Sequence, residues 1–371
     1  MRKNNKIIFK EIQLPFKIRK PILAVGSQTK NTVCFAEDKF AFLSPVHSDL
    51  NCPEDFSRFD KDVKYFLKKN PEIIAYDLHP EYQSTKYIND LRFEPYGLRP
   101  IQHHHAHIAA CMVENGLKNQ KVIGVAFDGT GLGSDDRLWG AEFLICDYKN
   151  FSRSVHLKEI PLLGGERAIL EPWRLAAFWL DLLGIDFAKG TNKKKWKILK
   201  QIQKKGLNSP LTSSAGRLFD AVASLVLAKY KANFEAELAI ELERIAHSSN
   251  LIAQSYTFKI AKASDSYIID PLPMFKEITK DLKKKERKQE IAYRFHLTVA
   301  EIIRKTCVLL RKKSNINKVV LSGGVFQNKL LLRLALDLLY KEDFEVFTHK
   351  VLSCNDSCIS LGQCAVANSR S

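Results

Sequence analysis

From Lys121 to Tyr148 the chain reads KVIGVAFDGTGLGSDDRLWGAEFLICDY. Two apolar runs rich in β-branched and aromatic residues flank a glycine-rich centre, which predicts strand, turn, strand. Asp128 closes the first run, immediately before Gly129-Thr130-Gly131. Glycines free the backbone for a tight turn there, and its exposed N–H groups can cradle a phosphate.

The same pattern lies on both sides. Upstream, ILAVG (22–26), TVCFA (32–36) and KFAFLS (39–44) predict a three-strand meander broken by polar turns. A helix from Glu54 to Lys69, the strand EIIAYDLHP (72–80) and a helix from about Pro80 follow. Downstream, KVVLSGG (318–324) predicts a third apolar strand that runs into a helix from Phe326 to Tyr340. Between them the pattern is mostly helical, at Pro172–Leu183, Ala215–Tyr230, Phe234–His247 and Glu286–Lys313. A β-meander followed by α/β units therefore occurs twice, with a helical insertion at about 165–315 in the second copy. The expected fold class is α/β with two lobes, residues 1–120 and 121–371, each with helices packed on a mixed sheet. Two such lobes face their glycine-rich turns into a shared cleft, where ligands usually bind.

The length of 371 residues fits this two-lobed reading. With 45% apolar and 27% charged residues the composition is that of a globular chain, which excludes disordered and collagen-like classes. No apolar run reaches the roughly 18 residues a membrane span needs, and the charged start MRKNNKIIFKEIQ does not read as a signal peptide. None of the eight cysteines forms a CxxC pair, so zinc ribbons and thioredoxin-type chemistry are not indicated, and the cytoplasm is the expected location. The formal charge is 58 − 41 = +17. Much of the excess sits in Lys193–Lys205 and Lys280–Lys288, which read as solvated helix faces; a nucleic-acid partner is the other reading of that charge.

His103-His104-His105-Ala106-His107 opens a helix that continues IAACMVENGL. Residues four apart share a helix face, so His103 and His107 can offer two imidazoles to one metal, with a carboxylate completing a set for iron or zinc. Asp128 and Asp356, the latter in Cys354-Asn355-Asp356-Ser357, are the carboxylates placed to contribute, although an Asp at a strand end also serves as turn-former or N-cap. Leu321-Ser322-Gly323-Gly324-Val325-Phe326-Gln327-Asn328 reads as strand, double-glycine turn and helix start, which suits close approach of a nucleotide to the backbone. It is not a Walker A loop, because no GK[ST] follows. Ser213 to Asp220, SSAGRLFD, reads as a capped helix start, or as a ribose or phosphate contact through Arg217 and Asp220.

Taken together, IQHHHAHIAACMVENGL, VIGVAFDGTGLGSDDRLWGAEFL, EPWRLA, TSSAGRLFDAVASL, LSGGVFQNKLLL and NDSCISLGQ resemble, in order, the signatures of HypF-type carbamoyltransferases. KNTVCFAEDKFAFLS and YDLHPEYQST are similar too, so the resemblance runs from about Pro21 to the C-terminus. Such enzymes make the cyanide ligands of NiFe-hydrogenase iron. The resemblance implies a two-lobed actin-like, Hsp70-like (ASKHA) nucleotide-binding fold, a bound iron or zinc ion, and ATP, AMP or carbamoyl-adenylate as the nucleotide. It implies His103, His107, Asp128 and Asp356 as metal ligands. It implies a nucleotide site drawn from Gly129, Thr130, Gly131, Arg217, Asp220, Gly323, Gly324 and Asn328. Lys30 and Asp128 are the implied catalytic residues, Lys30 approaching the carbamoyl end.

The acylphosphatase, zinc-finger and YrdC-like segments of a full-length member have no counterpart in these 371 residues. A separate YrdC-like protein is therefore the expected source of carbamoyl-adenylate. An acceptor protein with a nucleophilic cysteine, from hydrogenase maturation, is the other expected partner. Within the shared region four family glycine motifs are altered, at Pro45–Leu50, Asp135-Asp136, Phe234–Leu238 and Asn355–Cys358. Two alternatives follow. One is a TsaD-like tRNA threonylcarbamoyltransferase, for which the charge speaks and HHHAH and GGVFQN speak against. The other is a non-catalytic nucleotide-binding subunit, motivated by the lost glycines.

Overall fold

The computed structural model describes residues 9–90, 97–186, 191–247 and 253–371. The first sheet collects β1 (Lys10–Gln13), β2 (Ile22–Ala24), β4 (Cys34–Glu37), β5 (Phe40–Leu43), β7 (Ile73–Asp77) and β8 (Gly97–Ile101) in the order β1-β5-β4-β2-β7-β8. The short β3 (Thr29–Asn31) and β6 (His47–Asp49) pair beside it. Strands β2, β4 and β5 are the expected meander, and β1 extends its edge. Helix α1 (Pro53–Leu67) starts with Pro53 and carries Glu54 and Asp55 in its first turn, a favourable opening for a helix N-terminus. Helix α2 (Gln83–Asp90) follows β7.

Helix α3 (His103–Glu114) leaves this sheet and leads to the second. There β9 (Val122–Leu132) and β10 (Leu138–Cys146) form the central hairpin, β11 (Phe151–Leu157) joins β10, and the two-residue β12 (Ile160–Pro161) pairs with the later β13. Three helices follow, α4 (Arg167–Leu170), α5 (Trp173–Asp181) and α6 (Thr191–Lys204). After β13 (Leu211–Thr212) come α7 (Ala215–Leu227) and α8 (Glu237–Ala246). The hairpin β14 (Lys259–Ala263) and β15 (Ser266–Asp270) then adds to β11, so the insertion is not wholly helical. Helices α9 (Leu272–Lys283) and α10 (Lys288–Ser314) lead to β16 (Lys318–Ser322), which pairs parallel to β9. Helix α11 (Lys329–Tyr340), β17 (Glu345–Phe347) and α12 (Ile359–Ser369) complete the chain.

Two buried helices join the halves. Helix α12 packs on α3 and also crosses back onto β2 and β7 of the first sheet. The contact is so close that a Cβ on Gly362 would lie 1.9 Å from the backbone oxygen of Ala106. Gln363 fixes the register by accepting the N–H of Gly26 at 2.9 Å and donating to its carbonyl at 3.3 Å. Every residue of α3 from His103 to Val113 is buried, so its imidazoles stand in the core between the two sheets. No described helix is long and apolar enough to cross a membrane.

Candidate metal centre and nucleotide cleft

Gln102 caps α3, its side-chain oxygen accepting the N–H of His105 at 2.8 Å. The helix thereby begins at His103, and the i, i+4 spacing turns His103 and His107 to the same side. Asp128 arrives from β9, and Asp356 from the 3-10 turn Asp356–Cys358 just ahead of α12. Asp128 Oδ2 lies 3.3 Å from His103 Nε2 and 3.4 Å from His107 Nε2. Asp356 Oδ1 lies 3.8 and 3.7 Å from the same two nitrogens. One ligand atom from each of the four residues falls within a 4.8 Å span. Opposite ligands of one ion, at bond lengths of about 2.0–2.2 Å, stand about 4.0–4.4 Å apart. The four expected ligands are therefore assembled.

Neighbouring groups orient each of them. Asp77, at the end of β7, accepts a hydrogen bond from His103 Nδ1 at 2.8 Å and turns Nε2 toward the carboxylates. Asp128 is held by its other oxygen, Oδ1, which accepts the N–H of Gly324 at 2.9 Å. Gly323, at φ 106°, has room only for hydrogen, because a Cβ would lie 2.2 Å from the Phe127 carbonyl oxygen. The double-glycine turn thus packs directly on the strand end that carries Asp128. Asn355 Oδ1 accepts the N–H and hydroxyl of Ser357 at 3.1 and 2.8 Å, shaping the Asp356 turn.

The cluster concentrates positive charge around its carboxylates. Burial alone would strip the proton from His103, but Asp77, Asp356 and Asp128 reverse this and hold the imidazole at about 10. Burial would raise Asp128, yet His103 and His107 hold it well below the usual carboxylate range. His107 Nε2 is buried and faces the same two carboxylates at 3.4 and 3.7 Å; burial would lower its imidazole, but Cys358 and these carboxylates push it well above the usual histidine range. Two facing imidazole nitrogens and two carboxylate oxygens form a donor set that suits iron or zinc once the imidazoles give up their protons.

The nucleotide residues are disposed differently from expectation. Gly129, Thr130 and Gly131 lie within β9 and not in a free turn; the hairpin reverses only beyond Leu132, where Gly133 N–H meets the Arg137 carbonyl. Pairing of Trp139 with Gly131 and of Ala141 with Phe127 leaves three residues opposite Gly140, a bulge. The hydroxyl of Ser214, the N-cap of α7, donates to the carbonyls of Asp128 and Gly129 there. Arg217 and Asp220 are both buried on the first turns of α7, Nε and Oδ2 at 2.9 Å, and burial lifts Asp220 to about 6 despite the guanidinium. Arg217 Nη2 also reaches Glu235 at 3.2 Å, while Nη1 has no hydrogen-bond partner among the described residues. Asn328 is committed elsewhere: Oδ1 caps α11 on the Leu331 N–H, and Nδ2 lies 2.9 Å from His296 Nε2. Its half-buried amide keeps one N–H beyond those two contacts. Lys30 is exposed on β3 at φ 47° and makes no hydrogen bond or ion pair with the described residues. The segment beyond it reaches the Asp356 turn, since Thr32 donates to the Ser357 carbonyl at 2.9 Å.

Sequence reasoning read the helix cap that Ser214 supplies but missed Asp77, Glu235, Glu114, Ser322 and His349 as neighbours of the site. Asp77 carried the same signal as Asp128, an Asp closing an apolar strand; the others meet the site only through contacts distant in sequence.

The family of HypF Kae1-like domains matches residues 17–114, and that of the carbamoyltransferase Kae1-like domain, second subdomain, matches residues 124–363. The Carbamoyltransferase HypF of Synechocystis is 33% identical over 95% of this chain, covering 48% of that relative. A Carbamoyltransferase HypF homolog of Cupriavidus necator is 31% identical over 94% of this chain and 91% of the relative. A full-length HypF solved in the phosphate- and nucleotide-bound form superposes with a TM-score of 0.91 at 38% identity, over 97% of this chain and 57% of that one. HypF of T. kodakarensis superposes with a TM-score of 0.85 at 27% identity, over 96% of this chain and 48% of that one. The chain spans about half the length of most of these relatives.

Proposed function

Because the chain belongs to the HypF carbamoyltransferase family, we propose that it binds carbamoyl-adenylate between its lobes and transfers the carbamoyl group to an acceptor. The observation that carries the reading is the four-residue ligand set tied, through Asp128 and Gly324, to the double-glycine turn. Metal donors and a close backbone approach thereby adjoin one another.

His103, His107, Asp128 and Asp356 would hold an iron or zinc ion, which when bound supplies Lewis-acid polarisation and charge stabilisation. The residues of this chain do the positioning. Gly323 and Gly324 let the turn close onto Phe127 and Asp128, so that the Gly324 N–H holds the Asp128 carboxylate, and the half-buried Gly129 lets Glu235 Oε1 come within 2.9 Å of where its Cβ would be. Arg217, with an unpartnered Nη1, offers a fixed positive charge for the nucleotide. In the transfer, the acceptor's nucleophile bonds to the carbamoyl carbon while the carbon–oxygen bond to phosphate breaks. AMP leaves with that electron pair, and the acceptor's proton passes to solvent. The acceptor is a cysteine thiol of a hydrogenase-maturation partner, and a separate YrdC-like protein supplies carbamoyl-adenylate. The HypF names of the relatives favour this over transfer to tRNA.

The test combines carbamoyl phosphate, ATP, a YrdC-like protein and a thiol peptide acceptor, and follows carbamoylation of the peptide by mass. Carbamoylation that requires this chain and disappears in Asp128→Asn supports the reading. Equal carbamoylation without the chain overturns it.

A further inference from the structure

The second nitrogen of His107 is served by a buried side-chain relay. Ser322, the last residue of β16, places Oγ 3.3 Å from His107 Nδ1, a nitrogen that Cys358 Sγ also approaches at 3.4 Å. On its other side Oγ lies 2.8 Å from His349 Nε2. His349 Nδ1 in turn meets Glu114, whose side chain is wholly buried at the end of α3. The other Glu114 oxygen accepts the backbone N–H groups of Val351, at 3.1 Å, and of Leu352. Glu114 therefore pins the segment leading to Asp356 onto the helix that carries His103 and His107.

Donor and acceptor accounting fixes the polarity. A carboxylate only accepts, so His349 Nδ1 carries a proton and gives it to Glu114. With His349 neutral, Nε2 accepts the Ser322 hydroxyl proton, and the serine lone pair receives the proton on His107 Nδ1. With His349 protonated, Nε2 donates to Ser322 Oγ, and the serine hydroxyl is freed to face His107 Nδ1. The relay with neutral His349 is therefore the one that keeps the His107 proton on Nδ1 and turns Nε2 toward Asp128 and Asp356 as an acceptor. That is the tautomer a metal ligand needs, and Nε2 is the atom found buried without a hydrogen bond.

We propose that His349 is a positioning residue which, held by Glu114 and acting through Ser322, fixes the tautomer of His107 and the seat of Asp356 for metal binding. This rests on the metal reading of the cluster. The test is zinc affinity of the full chain, by competition with a chromophoric chelator, for wild type and three variants. In His349→Asn the amide nitrogen replaces Nδ1 and keeps Glu114, but nothing reaches Ser322. In His349→Gln an amide returns near the place of Nε2. His349→Asn is expected to bind zinc about 10- to 100-fold more weakly, Ser322→Ala about tenfold more weakly, and His349→Gln within about threefold of wild type. Wild-type affinity in both His349→Asn and Ser322→Ala overturns the relay, as does equal loss in the Asn and Gln variants. If His349→Asn does not fold, Ser322→Ala alone decides. A wild type that takes up no zinc overturns the metal reading itself, a separate result.

Discussion

Asp77 and His103, on different elements and both fully buried, meet at 2.8 Å with Asp77 Oδ2 on Nδ1. The other Asp77 oxygen accepts the N–H of His79 at 3.0 Å. In Asp77→Asn the amide oxygen stays with that N–H, and the NH2 group turns toward His103. A donor facing Nδ1 drives the imidazole proton onto Nε2, against the metal set. Zinc affinity is expected to fall about 10- to 100-fold with little loss of thermal stability. Chelator competition beside a melting curve checks both.

Gly362 and Ala106 set the spacing of α12 and α3. A methyl at 362 meets backbone oxygen at 1.9 Å, which no rotamer change can relieve. Gly362→Ala is expected to cost about 3 kcal/mol, the upper range for overpacking, measured as a lower urea midpoint. The same displacement parts the histidines from Asp356, so metal affinity falls with it.

Much of this was legible in the chain. The HxxxH spacing gave the two imidazoles, and Asp128 and Asp356 at strand and turn ends gave the carboxylates, because each is a local signal. The Gly129–Gly131 segment was not, because glycine reads as a turn whether or not the strand continues, and only the pairing partner on β10 shows that it does. Glu114 and His349 were invisible for a different reason: their contact joins residues 235 apart. A charged residue at a helix end and a histidine in a loop look solvent-directed until the fold buries them. The resemblance to a family implied Asn328 for the nucleotide; its cap on Leu331 is a local signal, whereas its bond to His296, 32 residues away, appears only in the fold.

His296 supplies a pH prediction. Burial holds its imidazole down at about 4, the neutral ring giving Nδ1–H to the Ala292 carbonyl at 2.7 Å and accepting from Asn328 at 2.9 Å. An unfolded histidine titrates near about 6.5. The native pKa is depressed, so between those values the unfolded chain binds more protons, and stability falls as pH drops from about 6.5 toward 4. The loss amounts to about 2–3 kcal/mol at the lower end. Unfolding free energies at pH 7 and pH 5 should differ less in His296→Gln than in wild type; an equal difference contradicts the assignment.

The replaced glycines do not have one consequence, because their backbones differ. Ala236, in the altered Phe234–Leu238 motif, sits at φ 65°, a left-handed conformation that costs a residue with a Cβ about 1–2 kcal/mol. Returning glycine removes that cost but frees the unfolded chain by about 0.4–1 kcal/mol. Ala236→Gly should therefore stabilise by about 0.5–1 kcal/mol. Cys358 is at φ −90°, and Ser357 is not among the residues of positive φ. Their side chains are also engaged: Ser357 Oγ bonds Asn355, and the buried Cys358 Sγ lies 3.4 Å from His107 Nδ1. Ser357→Gly with Cys358→Gly thus relieves no strain and removes buried contacts, so it should destabilise by about 1–2 kcal/mol and leave AMP affinity unchanged or weaker. Denaturant titrations of the two variants, with AMP binding measured in parallel, give opposite signs if this account holds. Tighter AMP binding by the Ser357, Cys358 variant would instead mean that these side chains close the cleft, as expected of a nucleotide-binding subunit that has given up catalysis.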